Sequence, residues 1–117
     1  MPKSDRMLHY PLTLLAASPD ITGTASFPAD YPAFDGHFPG NPILPAFLQI
    51  QAAVDLLALA GVGGALASVQ AAKFLQPVKP EQLIHIFIKT APHGYYHATL
   101  TVDNQIVSHF QFQVQGA

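Results

Sequence analysis

A chain of 117 residues, half of them hydrophobic and only 10% charged, can build one hydrophobic core and is too short for two ordinary domains. Five basic against seven acidic side chains leave a formal charge of −2, which argues against nucleic acid as a partner, because that binding draws on many phosphate-neutralising cations. The lack of cysteine excludes a disulfide framework, a thiolate zinc site, an iron–sulfur cluster and a thiol nucleophile.

The first residues, through Pro11, lack the continuous apolar run and small-residue cleavage site of a signal peptide. Met7 to Ala16 and Ile21 to Phe27 read as two strands of a hairpin, joined by the turn-forming Ser18-Pro19-Asp20. Pro28 to Pro45 holds five prolines and two glycines, so a long loop is expected there, with neither helix nor ladder. From Pro45, in the favoured first-turn position for proline, to Ala60 the residues are helix formers, and Gly61-Val62-Gly63-Gly64 stops the helix. This helix is apolar nearly all round, which predicts burial on most sides. It is shorter than a bilayer span of about 20 residues and carries Gln49, Gln51 and Asp55, so a soluble, cytoplasmic protein without membrane contact is expected.

Four strands are expected to wrap the helix: Leu66 to Phe74, Leu83 to Ala91, Tyr95 to Val102 and Ile106 to Val114. The intervening turns are Pro77-Val78-Lys79-Pro80, Pro92-His93-Gly94 and Asp103-Asn104. In the last strand Ile106, Ser108, Phe110, Phe112 and Val114 should share one face, alternating with Val107, His109, Gln111 and Gln113. The reading is α+β: two strands, a loop, a central helix and four more strands. So few charges on so small a chain point to an oligomer that covers apolar surface, with edge strands pairing between subunits.

The densest chemistry lies in the loop from Phe34 to Pro45, which leads straight into the helix. Prolines and glycines fix a non-repetitive path that can hold His37 against the free N–H groups of the first helical turn. Imidazole and amides together suit proton abstraction next to a carbonyl, His37 moving the proton and amides near Ala46 stabilising the oxyanion. A lone loop histidine equally serves to satisfy a local hydrogen bond.

The run Gly36-His37-Phe38-Pro39-Gly40-Asn41-Pro42-Ile43-Leu44-Pro45 resembles the G-H-F-P-x-x-P-x-x-P-G signature of the β-hydroxyacyl-acyl carrier protein dehydratases of hot-dog fold. Ala72 to Pro80 resembles the K-F-x-x-P-V-x-P-G-D segment of the same family, and the Gly40 to Pro45 stretch is similar to the short dehydratases of aryl-polyene clusters. The resemblance implies a curved antiparallel sheet wrapped around one central helix. It also implies removal of water from a 3-hydroxyacyl thioester on an acyl carrier protein, without cofactor or metal. It places His37 on the substrate, with Gly36, Phe38 and Pro45 around it and the Ala46 N–H on the thioester carbonyl.

The family carboxylate, six residues after the last motif proline, is Gln51 here, while Asp55 stands one turn later where the family has glutamine. A carboxamide cannot exchange a proton at neutral pH. One reading has Asp55 doing the acid work through a water or through Gln51; another pairs Asp55 with a strand lysine or a backbone group. Two functions follow. One is a working dehydratase, alone as a homodimer; the other is a non-catalytic subunit in a heterodimer with a related hot-dog chain. An acyl thioesterase is less favoured by the loop.

Other residues carry weaker signals. His93 and His97, four apart on a strand, would stand about 13 Å apart, too far to share a metal. His85 reads as a solvent-face residue, and Tyr95, Tyr96, Phe110 and Phe112 as core or acyl-tunnel lining.

Overall fold

The computed structural model describes residues 10–34, 40 and 42–116. Six strands, β1 (Leu12–Ala16), β2 (Ile21–Ala25), β3 (Ala65–Phe74), β4 (Ile84–Thr90), β5 (Tyr96–Val102) and β6 (Gln105–Gln115), form one sheet with one helix, α1 (Ala46–Leu59). The order across the sheet is β1-β2-β4-β5-β6-β3, every pair antiparallel, so the helix crosses over between β2 and β3.

Most elements lie within a few residues of their expected bounds, and the differences have local causes. The first described strand starts at Leu12, just after Pro11, which has no N–H for a ladder; the expected start at Met7 lies outside the described residues, as do all of residues 1–9. Pro45 is the residue before the helix, one step ahead of the expected first-turn place. At the other end Gly61 takes a φ of +100°, which glycine adopts without a Cβ penalty. The Val62 N–H then reaches the Leu57 carbonyl at 3.0 Å and the Gly61 N–H the Ala58 carbonyl, closing the helix as the glycine-rich stretch foretold.

A helix of 14 residues is marginal alone, so α1 is held by what it buries. Ala52, Ala53, Leu56 and Leu57 are fully enclosed against Ile84, Ile86 and Ile88 of β4, Ala98 and Leu100 of β5, and Phe110 and Phe112 of β6. Close approach to β2 depends on Gly23, where a Cβ would stand 2.5 Å from both Leu56 Cδ1 and the Thr13 carbonyl oxygen.

Burial on most sides of the helix is borne out, with Leu48, Gln49, Ala52, Ala53, Val54, Leu56 and Leu57 all buried. One flank stays open in the single chain, where Phe47 is 63% and Leu59 53% exposed and the partly exposed Gln51 and Asp55 are presented. The face assignment of β6 is corrected at its start. Leu100 pairs with Ser108 but Thr101 with Ile106, so Val107 is an extra residue; Val107 and Ser108 both turn inward and Ile106 turns out.

Candidate active site

The two motif blocks meet at the start of the helix. The Leu44 N–H donates to the Val78 carbonyl at 2.7 Å, so the Pro77 to Pro80 turn clamps the loop just before α1. Val78 and Leu44 are both buried there. The junction opens on a cavity of about 610 Å³ whose wall includes Pro45, Ala46, Phe47, Phe74, Leu75 and Pro77. Helix geometry leaves the leading N–H groups of α1 without carbonyl partners inside the helix, and Ala46 is exposed at this mouth. An oxygen gaining negative charge would be stabilised there by the amides and the helix dipole.

Two polar side chains line this largely apolar cavity, the exposed Gln76 and the buried Gln49. Gln49 is 3% exposed and its Oε1 accepts from Ser108 Oγ at 2.7 Å, across the helix–sheet interface. No sequence spacing links Gln49 to Ser108, 59 residues apart, although alternation sets Ser108 on the same strand face as Phe110 and Phe112.

Gln51 and Asp55 share a helix face, as their spacing of four predicts. Gln51 Nε2 donates to Asp55 Oδ1 at 2.8 Å, and the Tyr10 hydroxyl donates to Asp55 Oδ2 at 2.6 Å. Among the described residues Asp55 is thus partnered by Gln51 and Tyr10, and by neither a strand lysine nor a backbone group. Tyr10 stacks on Phe27 with centroids 4.3 Å apart and meets the edge of Tyr31 at 6.1 Å. Burial first, then the hydrogen bond and charge of Asp55, push the Tyr10 phenol far above its ordinary value, so it stays a donor. Burial and then the charge of Asp55 also raise Tyr31, whose buried hydroxyl has no partner among the described residues. No sequence spacing links Tyr10 to Asp55, which are 45 residues apart.

Of the remaining candidates, Gly36, His37 and Phe38 lie outside the described residues. His93 sits in a short turn with a φ of +63°, while His97 on β5 faces His109 of β6 with rings 6.0 Å apart. No group of three metal-ligating side chains stands together among the described residues. His85 alternates outward with Phe87 and Lys89. Phe110 and Phe112 are core, Tyr96 packs on Phe112, and Tyr95 instead turns to bond Ser68 of β3 at 2.8 Å.

Comparison with known proteins adds three kinds of likeness. The model of a family described as ApeI-like, ApeI dehydratase, matches residues 16–111. The 3-hydroxyacyl-[acyl-carrier-protein] dehydratase FabZ of Rickettsia massiliae is 29% identical over 105 residues, 79% of this chain and 72% of that protein. The FabZ of Novosphingobium aromaticivorans is 41% identical over 66 residues, 48% of this chain and 42% of that protein. Among solved structures, the dehydratase heterocomplex ApeI:P from Xenorhabdus doucetiae aligns with a TM-score of 0.72 at 19% identity, covering 92% of this chain and 94% of that one. Thioesterase superfamily member 2 of Mus musculus aligns at 0.66 and 15%, covering 93% and 84%. These two share the hot-dog architecture, a sheet folded around one helix, and a fold that hosts both names does not by itself choose a reaction.

Proposed function

Because the chain belongs to the ApeI-like dehydratase family, we propose that it removes water from a 3-hydroxyacyl thioester on an acyl carrier protein, giving the trans-2-enoyl thioester. The observation that carries this reading is the junction of the two motif blocks, where the Leu44–Val78 bond fixes the loop at the mouth of a cavity beside the first amides of α1. The Ala46 N–H would hold the thioester carbonyl, whose oxygen gains charge as the C2 proton leaves. His37 takes that proton, the C2–H electrons form the double bond, the C3–O bond breaks, and the hydroxyl leaves as water with the proton that His37 returns. Pro45, Gly36 and Phe38 would shape the same pocket. Elimination neither oxidises nor reduces the substrate, so the chemistry calls for no redox cofactor.

An edge is left for a second subunit. β3 pairs with β6 on one side only, and Leu66, Val69, Phe74 and the adjoining Leu75 remain exposed along it. Covering this edge and the open flank of α1 with a second hot-dog chain would bury surface that a lone chain leaves wet. The second chain is either a copy or a relative. Gln51 in place of the family carboxylate favours a second reading, a subunit that supports an active relative, and the ApeI:P heterocomplex has the same fold. Hydrolysis has no support here beyond that shared fold.

The test is His37→Ala, with thermal unfolding as a control for the fold. The reading predicts loss of dehydration at an unchanged melting temperature. Unchanged turnover in a folded His37→Ala chain would move the chemistry elsewhere. Inactivity of the unaltered chain that is relieved only by a related subunit would favour the second reading.

A further inference from the structure

Resting on the dehydratase reading, we propose that Gln51 meets the substrate's 3-hydroxyl through its carbonyl oxygen, and that Asp55 and Tyr10 are positioning residues that hold the amide in that orientation. A carboxamide has two ends of nearly equal shape, one a donor and one an acceptor, and a free glutamine presents either. Here the choice is made by Asp55. Its Oδ1 lies 2.8 Å from Gln51 Nε2, and turning the amide over would set two oxygens against each other. The carboxylate in turn has no freedom, because its other oxygen accepts from Tyr10 at 2.6 Å. Tyr10 is fixed by its stack on Phe27 and by the edge contact with buried Tyr31.

What remains of the group is one acceptor. Gln51 is partly exposed, and among the described residues its Oε1 accepts no side-chain hydrogen bond. It stands at the position that matches the family carboxylate, so an O–H from the substrate finds an acceptor where a carboxylate would otherwise be. The exchange of residue types between positions 51 and 55 thus preserves the acceptor and gives up the exchangeable proton. Asp55, with both oxygens occupied, acts through Gln51 and does not touch the substrate. The proton for the departing hydroxyl then has to come from His37.

Two measurements test this, and neither needs turnover. The first follows the Gln51 side-chain amide in nitrogen-15 spectra, assigned by its loss in Gln51→Met. The wild-type pair should be well separated and slow to exchange, and should move to the position of a free amide in Tyr10→Phe and in Asp55→Asn. Unchanged signals in both folded variants would overturn the positioning role. The second compares binding of a 3-hydroxyacyl pantetheine amide with that of its 3-deoxy counterpart. The preference for the hydroxyl should vanish in Gln51→Met and fall about tenfold in Tyr10→Phe, with the 3-deoxy ligand bound as before. A preference that survives Gln51→Met would refute the contact. A chain with the fixed amide and the hydroxyl preference but no dehydration would overturn the dehydratase reading alone. A chain that dehydrates without the preference would overturn this inference alone.

Discussion

Asp55→Asn separates a positioning carboxylate from a proton-donating one. The substitution keeps the shape and replaces one carboxylate oxygen by an NH2 group, yet both oxygens accept in the native cluster, at 2.6 Å from Tyr10 and 2.8 Å from Gln51. Asparagine can satisfy only one of these donors. If its oxygen stays with Tyr10, its NH2 faces Gln51, and the Gln51 amide turns over to offer its carbonyl inward, withdrawing it from the substrate. The contact withdrawn joins two neutral groups, Gln51 Oε1 and the substrate hydroxyl; such a bond contributes about 0.5–1.5 kcal/mol, which as a barrier corresponds to roughly a 2- to 13-fold loss of turnover. The pH–rate profile should keep its shape, since Asp55 hands no proton to the substrate. Steady-state turnover of wild type and variant across pH checks both statements. Disappearance of one limb of the profile would refute the positioning role in favour of acid catalysis, and undiminished turnover would refute any role for the cluster.

Three further outcomes follow from the packing. Ser108→Ala leaves the buried Gln49 Oε1 without its donor, and should lower unfolding free energy in urea by about 1–3 kcal/mol; an unaltered midpoint would mean the bond adds nothing. Gly23→Ala drives a Cβ against Leu56 and the Thr13 carbonyl, and overpacking of this kind costs about 1–3 kcal/mol, a drop of roughly 4–12 °C in melting temperature. Burial, then the His109 imidazole and the Lys89 ammonium, hold His97 below its ordinary 6.5. Folded His97 binds its proton more weakly than the unfolded chain does, so its contribution is complete above pH 6.5 and is lost as pH falls towards the lowered value. In His97→Gln the fall in stability on acidification should be shallower, as read from denaturation midpoints at pH 7.5 and 5.5.

Much of the fold was legible because its signals are local. His85 reads as a solvent-face residue and does turn outward from β4, and Gly61 ended the helix where a left-handed residue was needed. The errors lie where tertiary contacts override a local pattern. Strict alternation cannot anticipate the bulge that turns Val107 inward and Ile106 outward. An apolar helix does not reveal which flank the sheet leaves open. The site divided in the same way. The spacing of four joined Gln51 to Asp55, but Tyr10, Tyr31 and the Gln49–Ser108 bond depend on residues far apart in the chain. Tyr10 as the second partner of Asp55 was therefore beyond reach of periodicity.

The measurement that bears most directly on the dehydratase reading is incubation of the purified chain, with no second protein subunit, with a 3-hydroxyacyl carrier-protein thioester, followed by intact mass spectrometry. A carrier species lighter by one water, formed in proportion to the amount of chain and absent with His37→Ala, is the predicted result. A substrate mass that never changes, or release of the free acid from the carrier, would contradict it.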